Sequence, residues 1–127
     1  LGFGVGAGNA EYYLANCAIY PAGDIAAMHN WWMEILVNYG ALIFVGYVVL
    51  YLSILLNLWF LYKRVDNVTE KMICEALLIS WVSFFMASIS SSSIMAFPPQ
   101  WIYLAFTLAF LNYSRINVIK RVSIRAS

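Results

Sequence analysis

Charge is what this sequence has least of. Only 10% of its 127 residues are Asp, Glu, Lys or Arg, whereas 64% are hydrophobic, and mean hydropathy is +0.79. Soluble proteins carry roughly 25% charged residues, so a water-facing surface cannot be assembled here and a soluble domain is excluded. Histidine occurs once, at His29, and one imidazole among scattered carboxylates does not make a zinc site. Lysine and arginine are missing from the first 62 residues. The chain therefore opens without the basic region and short apolar core of an export signal. It also starts at Leu1 rather than Met, and the expectation is an internal or C-terminal piece of a longer protein.

What is present instead is uninterrupted apolar sequence. Ile35 to Tyr62 contains no charge, and as a helix it would extend about 42 Å, more than a hydrocarbon core of about 30 Å requires. A second uncharged run, Ala76 to Ser114, is too long for one crossing, and Pro98-Pro99 divides it because proline lacks the amide donor and disfavours helix before it. The fold class predicted is all-α, a polytopic transmembrane fragment of about three spans with an N-terminal extracytoplasmic loop. Its parts are a glycine-rich and histidine-bearing loop at 1–33, a span at 34–62, a cytoplasmic loop at 63–72, a span and outer turn at 73–97, a third span at 98–119 and a basic tail at 120–127. In the third span Arg115 is expected to snorkel to the interface.

The basic residues set the orientation. Lys63, Arg64 and Lys71 follow the first span and Arg115, Lys120, Arg121 and Arg125 close the third, so both groups lie on one side of a three-span chain. The positive-inside rule makes that side the cytoplasm. The opposite side carries Glu11, Asp24 and Glu34 and no Lys or Arg. This predicts a multi-pass protein of the cytoplasmic membrane with residues 1–33 outside and the C-terminus inside. Trp31, Trp32, Trp59 and Trp101 fall near span ends, as an aromatic belt would have them. Anionic lipid headgroups account for the basic tail, with no nucleic acid partner.

Topology disposes of smaller motifs. Cys17 outside and Cys74 near the inner edge cannot bridge, since a disulfide tolerates at most about 7 Å between Cα atoms. The sequons at Asn67 and Asn112 are placed at the cytoplasmic face and read as chance matches. Asn38, Ser53 and Asn57 are expected to hydrogen-bond to helices outside this sequence, and the serines at 88 and 90–93 to serve close packing. Lys71 and Glu75 have helix ion-pair spacing.

Chemistry is sought in the outer segment. Gly2, Gly4, Gly6 and Gly8 alternate with Leu1, Phe3, Val5 and Ala7 and lead to Asn9. Such a backbone turns tightly or approaches a ligand closely. The spacing satisfies a relaxed dinucleotide fingerprint, but no βαβ unit follows; a phosphate-cradling nest or a plain flexible connection remain open. Tyr12, Tyr13 and Tyr20, with Pro21 and Asp24, suit an ordered loop at the headgroup layer or a surface for stacking on sugars. If the helix of the first span already runs from His29, then Trp32, Met33 and Leu36 share its face, and the imidazole stands at the mouth of that face. Histidine changes charge near physiological pH, which suits general-base work. Set beside that is a solvated histidine without a role.

The glycine run, then a loop, then His29-Asn30 with Leu36 and Gly40 leading into a span resembles the C-terminal part of the O-antigen ligase and polysaccharide polymerase family, most of all its teichuronic acid polymerase branch. Met33 and Ile43 depart from the family's usual residues on the packing side of the helix. The resemblance implies an enzyme that transfers or polymerises glycan from a polyprenyl-diphosphate carrier onto an acceptor glycan at the outer face. It implies a catalytic role for His29, substrate-side roles for Asn30, Gly4, Gly6, Gly8 and Asn9, and no cofactor or metal. Residues 1–33 hold no cation for the diphosphate, so such an enzyme must draw its arginines from elsewhere and the fragment alone is expected to be inactive. Two other classes fit the same topology, a transporter or flippase segment and a non-catalytic membrane scaffold. Spans free of charge at mid-depth speak against the first.

Overall fold

The fold is described from a computed structural model for residues 2–17, 19, 29–90 and 98–126, with side chains as far as 120. Tyr20, Pro21 and Asp24 of the outer loop, Ser91 to Ser93, and the side chains of Arg121 and Arg125 lie outside the described residues. Among the described residues every regular element is a helix, without a strand: α1 (Asn9–Cys17), α2 (Trp31–Tyr39), α3 (Ala41–Arg64), α4 (Val68–Ser88) and α5 (Pro98–Ala126). Three segments are long and apolar enough to cross a membrane, Ala41–Arg64, Val68–Ser88 and Pro98–Lys120. At most 22% of any of their apolar windows is buried within the chain, so most of their surface is left for lipid or for other helices.

The helix boundaries differ from the sequence reading where capping intervenes. The uncharged run from Ile35 is not one helix. Gly40, with φ at +88°, ends α2 by donating its N–H to Leu36 O at 3.0 Å, and its own carbonyl accepts from Phe44 N at 3.0 Å to start α3. Few side-chain-bearing residues tolerate that φ. The expected loop at 63–72 shrinks to three residues between α3 and α4, because Asn67 Oδ1 accepts from Thr69 N at 2.9 Å and Glu70 N at 3.3 Å. The sequon at Asn67 is thus a helix cap. Pro98 and Pro99 open α5, which suits residues whose missing donor is unneeded in a first turn.

Two compact units are present, Leu1–Leu50 with Phe85–Ala96, and Tyr51–Phe84 with Phe97–Ser127. In the second, Trp81 of α4 is the hub, 2% exposed. The Tyr51 hydroxyl donates to its carbonyl oxygen, its indole N–H donates to Thr107 Oγ1 at 3.1 Å, and the Thr107 hydroxyl donates to Tyr103 O at 2.9 Å. Tyr103 packs on the same indole with ring centroids 5.0 Å apart and donates its hydroxyl to Leu77 O at 3.2 Å. Each polar group that these aromatics carry inward has a partner, as burial away from water demands. At the end of α3, Trp59 stacks on Tyr62, Lys63 lies 4.8 Å over the Trp59 ring and Lys71 4.8 Å over Tyr62. The Tyr62 side chain hydrogen-bonds with Glu75, so this phenol meets both the lysine and the carboxylate whose spacing suits an ion pair.

Candidate functional site

The first unit is organised around α2. Its N-terminus is capped by Asn30, extended at φ −153° and ψ 107°, whose Oδ1 accepts from Trp32 N at 3.1 Å and Met33 N at 3.2 Å. The Asn30 carbonyl accepts from Glu34 N at 2.9 Å. His29 therefore precedes the helix and does not share the face of Trp32, Met33 and Leu36. It is exposed.

Trp31 and Trp32 do not form an outer belt. Trp31 is 1% exposed and meets Tyr47 edge-on at 5.9 Å. Trp32 packs on Tyr47 at 5.6 Å and Phe85 at 5.5 Å, and its indole N–H donates to Ser88 Oγ at 2.9 Å. The Ser88 hydroxyl in turn donates to Phe85 O at 2.8 Å. Two indoles immediately after the cap thus anchor the start of α2 to α3 and to the end of α4. Trp59 and Trp101 are 48% and 44% exposed.

The other end of α2 explains the glycines. A helix leaves its last carbonyls without intrahelical donors. Here Val5 N donates to Val37 O and Gly6 N to Asn38 O, both at 2.9 Å. The approach is so close that a Cβ on Gly4 would fall 2.1 Å from Asn38 O, and one on Gly40 would fall 2.6 Å from Gly2 O and Gly4 N. Asn38, 5% exposed, closes the clasp from its side chain, where Oδ1 accepts from Ala10 N at 3.2 Å. Asn9 returns to the glycine segment, its N–H donating to Gly6 O at 3.1 Å and its Nδ2 to Val5 O at 3.1 Å. Gly6 and Gly8 have φ of +96° and +76°.

The structure therefore joins Gly4, Gly6 and Asn9 at the C-terminal end of α2 and places His29 and Asn30 at its N-terminal end, a helix length of about 13 Å apart. The Val5 and Gly6 amides are engaged with helix carbonyls, so a phosphate nest could not use those two. Asn38 and Gly40 are the residues that sequence reasoning undervalued. The available signal was an Asn-x-Gly at the end of an apolar period, a common helix stop. Asn38 was expected to bond to helices outside the sequence, yet its partners lie within this chain. Cys17 is exposed and Cys74 buried, and both are free thiols.

These features define a helical, multi-pass membrane segment with one folded, clasped end. No protein-family model and no solved structure matches the chain. It is 40% identical over 114 residues to the teichuronic acid biosynthesis protein TuaE of Bacillus subtilis (strain 168). That alignment covers 90% of this chain and 23% of the relative, so the chain spans about a quarter of the length of the curated protein it matches.

Proposed function

We propose that this chain is part of a membrane enzyme of cell-surface polysaccharide biosynthesis, one that transfers or polymerises glycan from a polyprenyl-diphosphate carrier onto an acceptor glycan. The observation that carries the reading is the 40% identity to a teichuronic acid biosynthesis protein across nearly all of the chain. The geometry adds a reason to look at His29. An exposed imidazole stands one residue before a capped helix whose first turn is anchored by Trp31 and Trp32. In this reading His29 accepts the proton of the acceptor hydroxyl as its oxygen attacks the anomeric carbon, and the lipid diphosphate leaves with the bonding electron pair. Asn30 positions His29 by fixing the chain at the cap. The leaving diphosphate needs cations, which residues 1–62 lack, so they belong to parts of the enzyme outside this segment. The reaction is assigned to the outer face of the cytoplasmic membrane, with residues 1–33 outside and the C-terminus inside.

The test is His29→Ala in the full-length protein. General acid–base groups contribute about 10²–10⁴-fold, so surface glycan should fall by at least about 10²-fold while lipid-linked precursor accumulates. Protein abundance in the membrane should hold, because His29 is exposed and precedes the capped helix. Unchanged glycan with no precursor build-up sinks the enzymatic role and leaves a scaffold.

A further inference from the structure

Within the second unit, α3 and α5 line an open-sided cavity of about 430 Å³, inside the range of roughly 300–1,000 Å³ found for small-molecule sites. Its polar side is formed by Asn57, Arg64 and Arg115, its apolar side by Phe60, Val118 and Ile119. Arg115 was expected to reach for the interface. Its Nη2 donates to Asn57 Oδ1, about two turns inside the end of α3. Arg115 itself belongs to a candidate span that runs on to Lys120. A guanidinium has five N–H donors, and one amide oxygen takes only part of that capacity. Phe60 and Ile119, beside it, are 55% and 68% exposed on helices apolar enough to be surrounded by acyl chains. Two cations and an apolar wall sharing one cavity at the basic end of two spans match an amphiphile with an anionic head. The fork of an arginine matches phosphate oxygens in particular.

We infer that this cavity binds the phosphate of an anionic phospholipid, held by Arg64 and Arg115, with an acyl chain along Phe60, Val118 and Ile119. A free phosphate would meet the same guanidiniums but leave the apolar wall uncovered, so the lipid is the occupant the whole lining selects. The site differs from diffuse attraction to a basic tail, because it depends on two particular arginines. Lys63, by contrast, is placed over the Trp59 ring. The inference is independent of the glycan reading.

The experiment uses the full-length protein extracted from vesicles of phosphatidylglycerol or of phosphatidylcholine with the same acyl chains, with retained lipid counted by native mass spectrometry. Phosphatidylglycerol should be retained in preference to phosphatidylcholine. Arg64→Ala, at the exposed last residue of α3, should lower that retention about fivefold, and Arg64→Ala with Arg115→Ala about 25-fold. Lys120→Ala, which removes a cation outside the lining, should leave it unchanged, as should millimolar inorganic phosphate. Equal retention of the two lipids, an equal loss with Lys120→Ala, or displacement by inorganic phosphate would each overturn the site. Arg64→Ala retains the Arg115–Asn57 hydrogen bond, so its outcome is readable even if the double variant fails to fold.

Discussion

At the scale of single residues, Gly4 is the most constrained position described. A methyl group there would sit 2.1 Å from the Asn38 carbonyl oxygen, far inside van der Waals contact, and both neighbours are backbone that cannot rotate away. Gly4→Ala should therefore release the clasp on α2, at a cost of about 1–3 kcal/mol, typical of overpacking. Hydrogen exchange read by mass spectrometry should show lost protection at the Val5 and Gly6 amides. Gly2→Ala, which meets nothing within 4 Å, should leave them protected. Equal protection in both variants would refute the clasp. Glycine density was plain in the sequence, but its cause was not. The partner, Asn38, lies far along the chain, and only folding reveals that these glycines cap a helix.

At the scale of elements, the joint of α3, α4 and α5 in the second unit rests on Trp81. Thr107 is fully buried and accepts the indole N–H while bonding its own helix at Tyr103 O. Thr107→Val keeps the shape and removes the acceptor, leaving a buried N–H unpaired, which costs about 1–3 kcal/mol. Thermal unfolding in detergent should show that loss for Thr107→Val and little change for Thr107→Ser. If valine is as stable as threonine, the three helices are held by ring packing alone. The three long apolar helices were legible from charge-free runs and the proline pair. The starts of α3 and α4 were not, because Gly40 and Asn67 act through hydrogen bonds to backbone amides that hydropathy ignores.

For the whole molecule, the positive-inside reading makes an orientation testable with thiols. Cys17 and Asp66 are both exposed, and Cys74 is buried. A membrane-impermeant maleimide applied to intact cells should label Cys17. In a Cys17→Ser background, Asp66→Cys, in the short connection between α3 and α4, should react only after the membrane is opened. The reverse pattern would invert the topology, and with it the side on which His29 acts. The charge asymmetry behind this expectation needs no tertiary structure, since it follows from which connections carry Lys and Arg.

Charge-free runs of span length already imply a helical membrane fold, because backbone polar groups in a bilayer must be satisfied within helices. Tertiary structure decided which polar residues serve the fold. Asn38 and Asn57, both expected to look outward, bond to Ala10 and Arg115 within the chain. Trp31, expected at an interface, is buried. His29 and the pair Gly4 and Gly6, parts of one motif separated by a loop along the chain, stand at opposite ends of α2. Composition reports how much polarity a chain must accommodate, whereas partnership depends on distances that only packing sets.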